Sequence, residues 1–199
     1  MNNIKERKDV ILDESEYNDI HVKGSISILK NIIADCINLK GDLTGDYSIK
    51  CKNEIDIKGS IICKSIEAEK FSLHGKVQIN SISCKDLKIV SSRKSKIENI
   101  KADTVQIVNG SSAEMNKKIM DKLLNKIGVD NLDYSPNNED CNFVISSIEG
   151  KTIKLENVQV DTIKCENITL VGKCNVKELI YSGTISIDKN STVSVKKRI

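Results

Sequence analysis

Two histidines, seven cysteines and a scatter of aspartates are the residues of this 199-residue chain most able to do chemistry. A histidine in a cleft serves as a general base, and paired carboxylates hydrolyse glycosidic bonds. A Cys-x-x-Cys pair would point to zinc or redox work. The spacing supports none of these. His21 and His74 each stand just outside an inward-facing residue, in slots otherwise filled by Lys40 and Lys58, so both are expected at the surface. Asp56, Asp86 and Asp103 lie far apart, each with lysine neighbours, as on a solvated face. The cysteines form no Cys-x-x-Cys, and neither a P-loop nor a dinucleotide fingerprint occurs. No catalytic residue, metal ligand or cofactor-binding residue is therefore expected.

Composition narrows the classes further. The net charge of +3 is close to balance, aromatic content is 3% and tryptophan is missing, which argues against nucleic-acid binding. No apolar run approaches the length needed to span a bilayer, and MNNIKERKDVILDESEY has no secretory character. The expected location is cytoplasmic, with reduced thiols; the inner membrane face is a second candidate, since the mixed charges of the tail leave membrane association open.

What organises the chain is a repeat. Ile20-x-Val22-x-Gly24 returns as Ile37-x-Leu39-x-Gly41, Ile55-x-Ile57-x-Gly59 and Phe71-x-Leu73-x-Gly75, then as Leu87-x-Ile89-x-Ser91 and Val105-x-Ile107-x-Asn109. Between these copies run Ile32-x-Ala34, Ile49-x-Cys51, Ile66-x-Ala68, Ile82-x-Cys84 and Ile100-x-Ala102, and also Ile26-x-Ile28, Ile61-x-Cys63 and Val77-x-Ile79. Period-2 alternation marks strands with one buried face. Three short strands in every 16–18 residues predict a coil with three sides, stacked in parallel. Glycine suits the corners, and Asn109 stands in for it. Asn31, Asn99, Asn157 and Asn167 are read as corner residues too. The narrow side takes Ala or Cys, so Cys51 and Cys84 read as small core residues.

The expected fold is thus all-β: a right-handed parallel β-helix, or β-solenoid, interrupted by one amphipathic α-helix. A flexible tail is expected at 1–16, a first array at 17–110, a helix and loop at 111–142, a second array at 143–195 and a basic end at 196–199. Over 112–127, Met115, Ile119, Leu123 and Ile127 form an apolar stripe, after the capping-box spacing Ser111-x-x-Glu114. That stripe packs on the solenoid or recruits a protein client. Solenoid ends expose unpaired strands, so Ile20, Val22, Ile26 and Ile28 at one end, and Ile185, Ile187, Val193 and Val195 at the other, are expected to self-assemble.

The order of these motifs resembles the bactofilins, polymer-forming bacterial cytoskeletal proteins, and most of all their divergent Bacillus-type branch. The likeness rests on YNDIHVKG at 17–24, on the run of I-x-[AC]-x-x-h-x-h-x-G coils (h, hydrophobic), and on IEGKTIKLENVQVDTIKCENITLVGKCNVKELIYSG at 148–183. It also rests on the position of the helical interruption, and it spans roughly residues 17–195. The resemblance implies a right-handed β-helix, homopolymers that form without nucleotide, a scaffolding rather than enzymatic role, and a link to cell shape or flagellar motility. Against it stand a non-polymerising adaptor that holds a client through 112–127 and, more remotely, an acyltransferase of the left-handed hexapeptide-repeat type.

Overall fold

The computed structural model describes residues 2–110 and 143–199. Their sixteen strands are β1 (Asn2–Glu6), β2 (Val10–Leu12), β3 (Tyr17–Lys23), β4 (Ile26–Ile28), β5 (Ile32–Lys40), β6 (Leu43–Thr44), β7 (Ser48–Lys58) and β8 (Ile61–Glu67). They continue with β9 (Lys70–His74), β10 (Val77–Ser91), β11 (Ser95–Asn109), β12 (Phe143–Glu156), β13 (Gln159–Val171), β14 (Asn175–Tyr181), β15 (Ile185–Ile187) and β16 (Thr192–Arg198). All belong to one sheet, which winds into a parallel β-solenoid of about ten turns.

Three ladders run the length of the coil. We name the sides A, B and C in chain order. On side A, Ile20, Ile37, Ile55, Phe71, Leu87 and Val105 stack in register. Side B stacks Ile26, Leu43, Ile61 and Val77, and side C stacks Ile32, Ile49, Ile66, Ile82 and Ile100. Each of these residues is almost wholly buried, so all three sides face one continuous core. Each isoleucine so buried contributes about 1.5–3 kcal/mol gross, and the same row of side chains is repeated at every turn.

The narrow slot on side C behaves as its residue sizes demand. Ala34 pairs with Cys51, Cys84 with Ala102, Ala102 with Gly150, and Gly150 with Cys165. Cys51 and Cys165 are buried and Cys84 half-buried. Burial pushes the thiols of Cys51 and Cys165 up to about 11 and those of Cys63 and Cys84 up to about 12. These are protonated, inert core groups at neutral pH.

The two arrays are one solenoid. β12 pairs with β11 over its whole length, Ser95 opposite Phe143 and Val105 opposite Ile153, as if residues 111–142 were a single corner. That segment carries the expected helix, including Met115, Ile119, Leu123 and Ile127, and it lies outside the described residues. Among the described residues there is no helix.

The corners need a finer account than glycine alone. Gly24, Gly41, Gly59 and Gly75 have positive φ, and a Cβ on any of the last three would overlap the carbonyl oxygen of the glycine one coil before. Of the asparagines expected to take such a conformation, only Asn157 does, at φ 56°. The others tie coils together through their side chains. Asn31 Oδ1 accepts from the Ser48 amide (3.0 Å), Asn99 Oδ1 from the Ser147 hydroxyl (2.8 Å) and Asn167 Oδ1 from the Thr184 amide (2.9 Å).

Candidate functional site at the two ends of the solenoid

The residues weighed first for catalysis remain separate. His21 and His74 are exposed on side A, His74 in register with Lys58 as expected and His21 with Asn38. Asp86 and Asp103 are exposed and Asp56 half-buried, and Asp103 forms an ion pair with Lys151 at 3.1 Å. Among the described residues no group of His, Cys, Asp and Glu is placed to hold a metal ion, and no helix is long and apolar enough to cross a membrane. A shallow depression of about 440 Å³ on side C is lined by Lys50, Lys52, Glu67, Glu69 and Lys85. Its charges neutralise one another: Lys50 to Glu67 at 2.7 Å, Lys85 to Glu69 at 2.5 Å and Lys52 to Asp35 at 2.6 Å. Hydrogen bonding to Lys85 lowers the pKa of Glu69 and raises that of Lys85. With its cations engaged in this way, the depression offers little to an anion.

The ends of the coil are different, and the N-terminal one is not where the repeat placed it. Residues 1–16 were expected to be a flexible tail; instead β1 and β2 form one more coil. Ile4 lies over Ile20, Glu6 over Val22, Val10 over Ile26 and Leu12 over Ile28. Ile20, Val22, Ile26 and Ile28, expected to be exposed for assembly, are consequently 0–2% exposed. Polar side chains complete the added turn: Asp9 Oδ1 accepts from the Ser25 amide (2.7 Å), and Asn3 Oδ1 from the Asp19 amide (3.2 Å). Tyr17 closes it from below, buried, with its hydroxyl accepting from the Glu14 amide at 3.0 Å and its pKa raised by desolvation.

The sequence did hold a signal for this coil. Ile4, Val10 and Leu12 each precede their partners by 16 residues, within the period of the repeat. Glu6, standing where an apolar residue is the rule, hides it.

The edge at this end is therefore β1 with β2. Among the described residues β1 pairs only with β3, and β2 only with β4. Ile4 and Val10 are half-buried there, and Ile11 is 66% exposed. Beside them Asp13, Glu14 and Glu16 lie exposed. A shallow groove of about 450 Å³ opens there, lined by Asn2, Glu14, Ser15, Glu16 and Lys30.

At the other end the expected residues do form the edge. β15 pairs only with β13 and β16 only with β14 among the described residues. Ile185 is 37% and Val195 45% exposed, while Ile187 and Val193 are half-buried. The basic end, expected to begin at 196, belongs to β16. Lys196 and Arg198 stand in register with Leu179 and Tyr181, in columns that run apolar or small elsewhere. Both coil ends thus join strand that is unpaired among the described residues to partly exposed apolar side chains, with charges set into the inward columns. Inward charge is a known way to keep open sheet edges from pairing indiscriminately.

No family model, no curated protein and no solved structure matches this chain.

Proposed function

We propose that this chain is a bactofilin-like cytoskeletal scaffold, a right-handed β-solenoid that polymerises without nucleotide by adding strands end to end. The observation that carries the reading is the pair of open edges: β1 and β2 at one end, β15 and β16 at the other, each bordered by partly exposed isoleucine and valine. Pairing two edges would satisfy backbone donors and acceptors and bury those side chains. Parallel pairing across every existing coil supports the same geometry at a joint between copies. The assembly residues at the C-terminal end are those expected, Ile185, Ile187, Val193 and Val195; at the N-terminal end they are Ile4, Val10 and Ile11. The polymer works in the cytoplasm as a platform for clients, in a role linked to cell shape or flagellar motility.

Negative-stain electron microscopy of the purified protein, with and without added nucleotide, tests the proposal. Filaments or sheets should form in both cases. Discrete small particles at high concentration would overturn autonomous polymerisation and favour an adaptor that holds a client through 112–127. Ile185→Lys, in the column that ends at Ile4, should raise the critical concentration at least tenfold, the equivalent of losing one buried isoleucine at about 1.5–3 kcal/mol. Unchanged filaments would remove that end from the interface.

A further inference from the structure

On the outward rim of side A, beside the glycine corner, the sheet sets like charge on like charge. Lys23 stands in register with Lys40, Lys40 with Lys58 and Lys58 with His74, and all four are exposed. Like charges directly opposite on neighbouring strands destabilise a sheet. Elsewhere the solenoid answers a lysine with a carboxylate on the next coil: Lys50 with Glu67, Lys52 with Asp35, Lys85 with Glu69, Lys151 with Asp103 and Lys177 with Asp161. Among the described residues Lys23, Lys40 and Lys58 form no ion pair. A stacked row of lysines without counter-charge is a surface that an anionic partner would stabilise.

The shape of the row says what kind of partner. It is one residue wide: Asp56 is the next outward-facing residue before Lys58, and Asp42 is exposed just past the corner at Gly41. Beyond His74 the same column continues through Val90 and Val108, both half-buried, so cationic rungs give way to apolar ones. A broad phosphate surface would meet those carboxylates together with the lysines, and phosphates gain nothing from valines. A single polypeptide can follow the row alone. Spacing then selects its conformation. Lys23 to Lys58 is two rungs, roughly 9.6 Å. On an α-helix laid along the coil axis, positions i, i+4 and i+7 share a face and span roughly 10.5 Å, a mismatch that flexible lysine stems absorb. Three alternate residues of an extended strand span roughly 13.5 Å, about 4 Å too far.

We propose that this ladder docks an acidic amphipathic helix of a client protein, with Asp or Glu spaced i, i+4 and i+7 over Lys23, Lys40 and Lys58 and apolar residues over Val90 and Val108. This rests on the scaffold reading above and names the chemistry of the client.

The test follows the fluorescence anisotropy of a labelled, alanine-based helical peptide with Glu at i, i+4 and i+7 and Leu at i+14 and i+18, titrated with the full chain at low salt. A second peptide of the same composition spreads its glutamates around the helix. Replacing the three ladder lysines together, Lys23→Gln, Lys40→Gln and Lys58→Gln, should weaken binding of the patterned peptide about tenfold, as for three exposed ion pairs. The triple replacement Lys50→Gln, Lys85→Gln and Lys177→Gln removes the same charge from paired lysines and should leave binding unchanged. Should the ladder variant fail to fold, Lys40→Gln alone should weaken binding about twofold.

Equal binding of the two peptides, equal loss in the two triple variants, or a wild-type chain that binds neither peptide overturns the proposal. Phosphatidylglycerol vesicles and a single-stranded oligonucleotide are run alongside. If either binds through the same three lysines while the peptide does not, the ladder is a phosphate surface and the helical client is overturned. Electron microscopy of the same samples keeps the two readings apart. Filaments that bind no peptide overturn the docking and leave the scaffold standing. Peptide binding without filaments supports the docking and defeats the self-assembly reading.

Discussion

Where side A turns into side B, the coils before residue 110 stack Gly41, Gly59 and Gly75 almost in contact, each backbone lying in the space a side chain would need. After residue 143 the same corner is taken by Asn157 and Gly172, and the closeness is replaced by side-chain hydrogen bonds. Asn157 Nδ2 donates to the Asn109 carbonyl (3.0 Å), Asn109 Nδ2 donates to the Asn157 carbonyl (2.9 Å), and Asn157 Oδ1 accepts from the Lys173 amide (2.8 Å). The changeover begins at Ser91, Ser95 and Asn109, all three buried, just before the chain departs into 111–142. Ser91 and Ser95 hydroxyls lie 3.1 Å apart, and Ser95 Oγ accepts from the Val77 amide (3.2 Å). One corner geometry is thus met in two ways, by removing a side chain or by using one. The second way ties together residues separated by 48 positions in sequence, Asn109 and Asn157.

The largest effect should come from forcing a side chain into the glycine column. Gly59→Ala places a methyl on the Gly41 carbonyl oxygen at a φ of +151° that L residues rarely adopt. The two nearest atoms, the Gly41 carbonyl oxygen and carbon, are backbone, so neither yields cheaply. A loss of roughly 3 kcal/mol is expected from urea unfolding. If the loss is below about 1 kcal/mol, the first half is as tolerant at its corners as the second, and the contrast fails.

How far the sequence reached follows from the same contrast. Period-2 alternation gave the three sides, and the glycines gave the corner, because both are imposed by local sterics. Asn157 was placed at a corner correctly, but the amide network it shares with Asn109 joins residues 48 apart and has no local signature. The first coil was missed because its end position admits Glu6 and the exposed Ile11, which blur the alternation that buried coils must obey. The last coil was half seen: Ile185, Ile187, Val193 and Val195 kept the pattern, while Lys196 and Arg198 broke it for the same reason. End coils answer to water and to partners as well as to the core, so their sequences carry less of the repeat.

In both halves the burial of core thiols is read in pH. Cys63 and Cys165 are both buried, and burial raises their thiols to about 12 and about 11 respectively. An ordinary thiol ionises near 8.5, so above that pH the unfolded chain releases a proton that the folded chain retains. The stabilisation is complete below about pH 8.5 and declines by roughly 1.4 kcal/mol per pH unit for each thiol until the folded value is reached. Cys63→Ala should therefore flatten the fall in unfolding free energy between about pH 8.5 and 12, and Cys165→Ala only up to about pH 11. Equal slopes in wild type and Cys63→Ala would mean that the thiol ionises within the fold.

The smallest effect is the most pointed, because it separates the two functions Asn157 combines. Its backbone sits in the left-handed region at φ 56°, and its side chain bridges two coils. Asn157→Gly keeps the first and removes the second, so about 1 kcal/mol should be lost, as for one or two net hydrogen bonds. Asn157→Ala removes both and should cost about 1 kcal/mol more, the left-handed penalty for a residue with a Cβ. If glycine proves as stable as asparagine, the corner in the second half needs only the backbone conformation that glycine supplies in the first. The amide network would then not be what holds β12 in register on β11. A glycine variant as unstable as the alanine variant would place the whole burden on the hydrogen bonds, and the two halves would turn their corners by unrelated means.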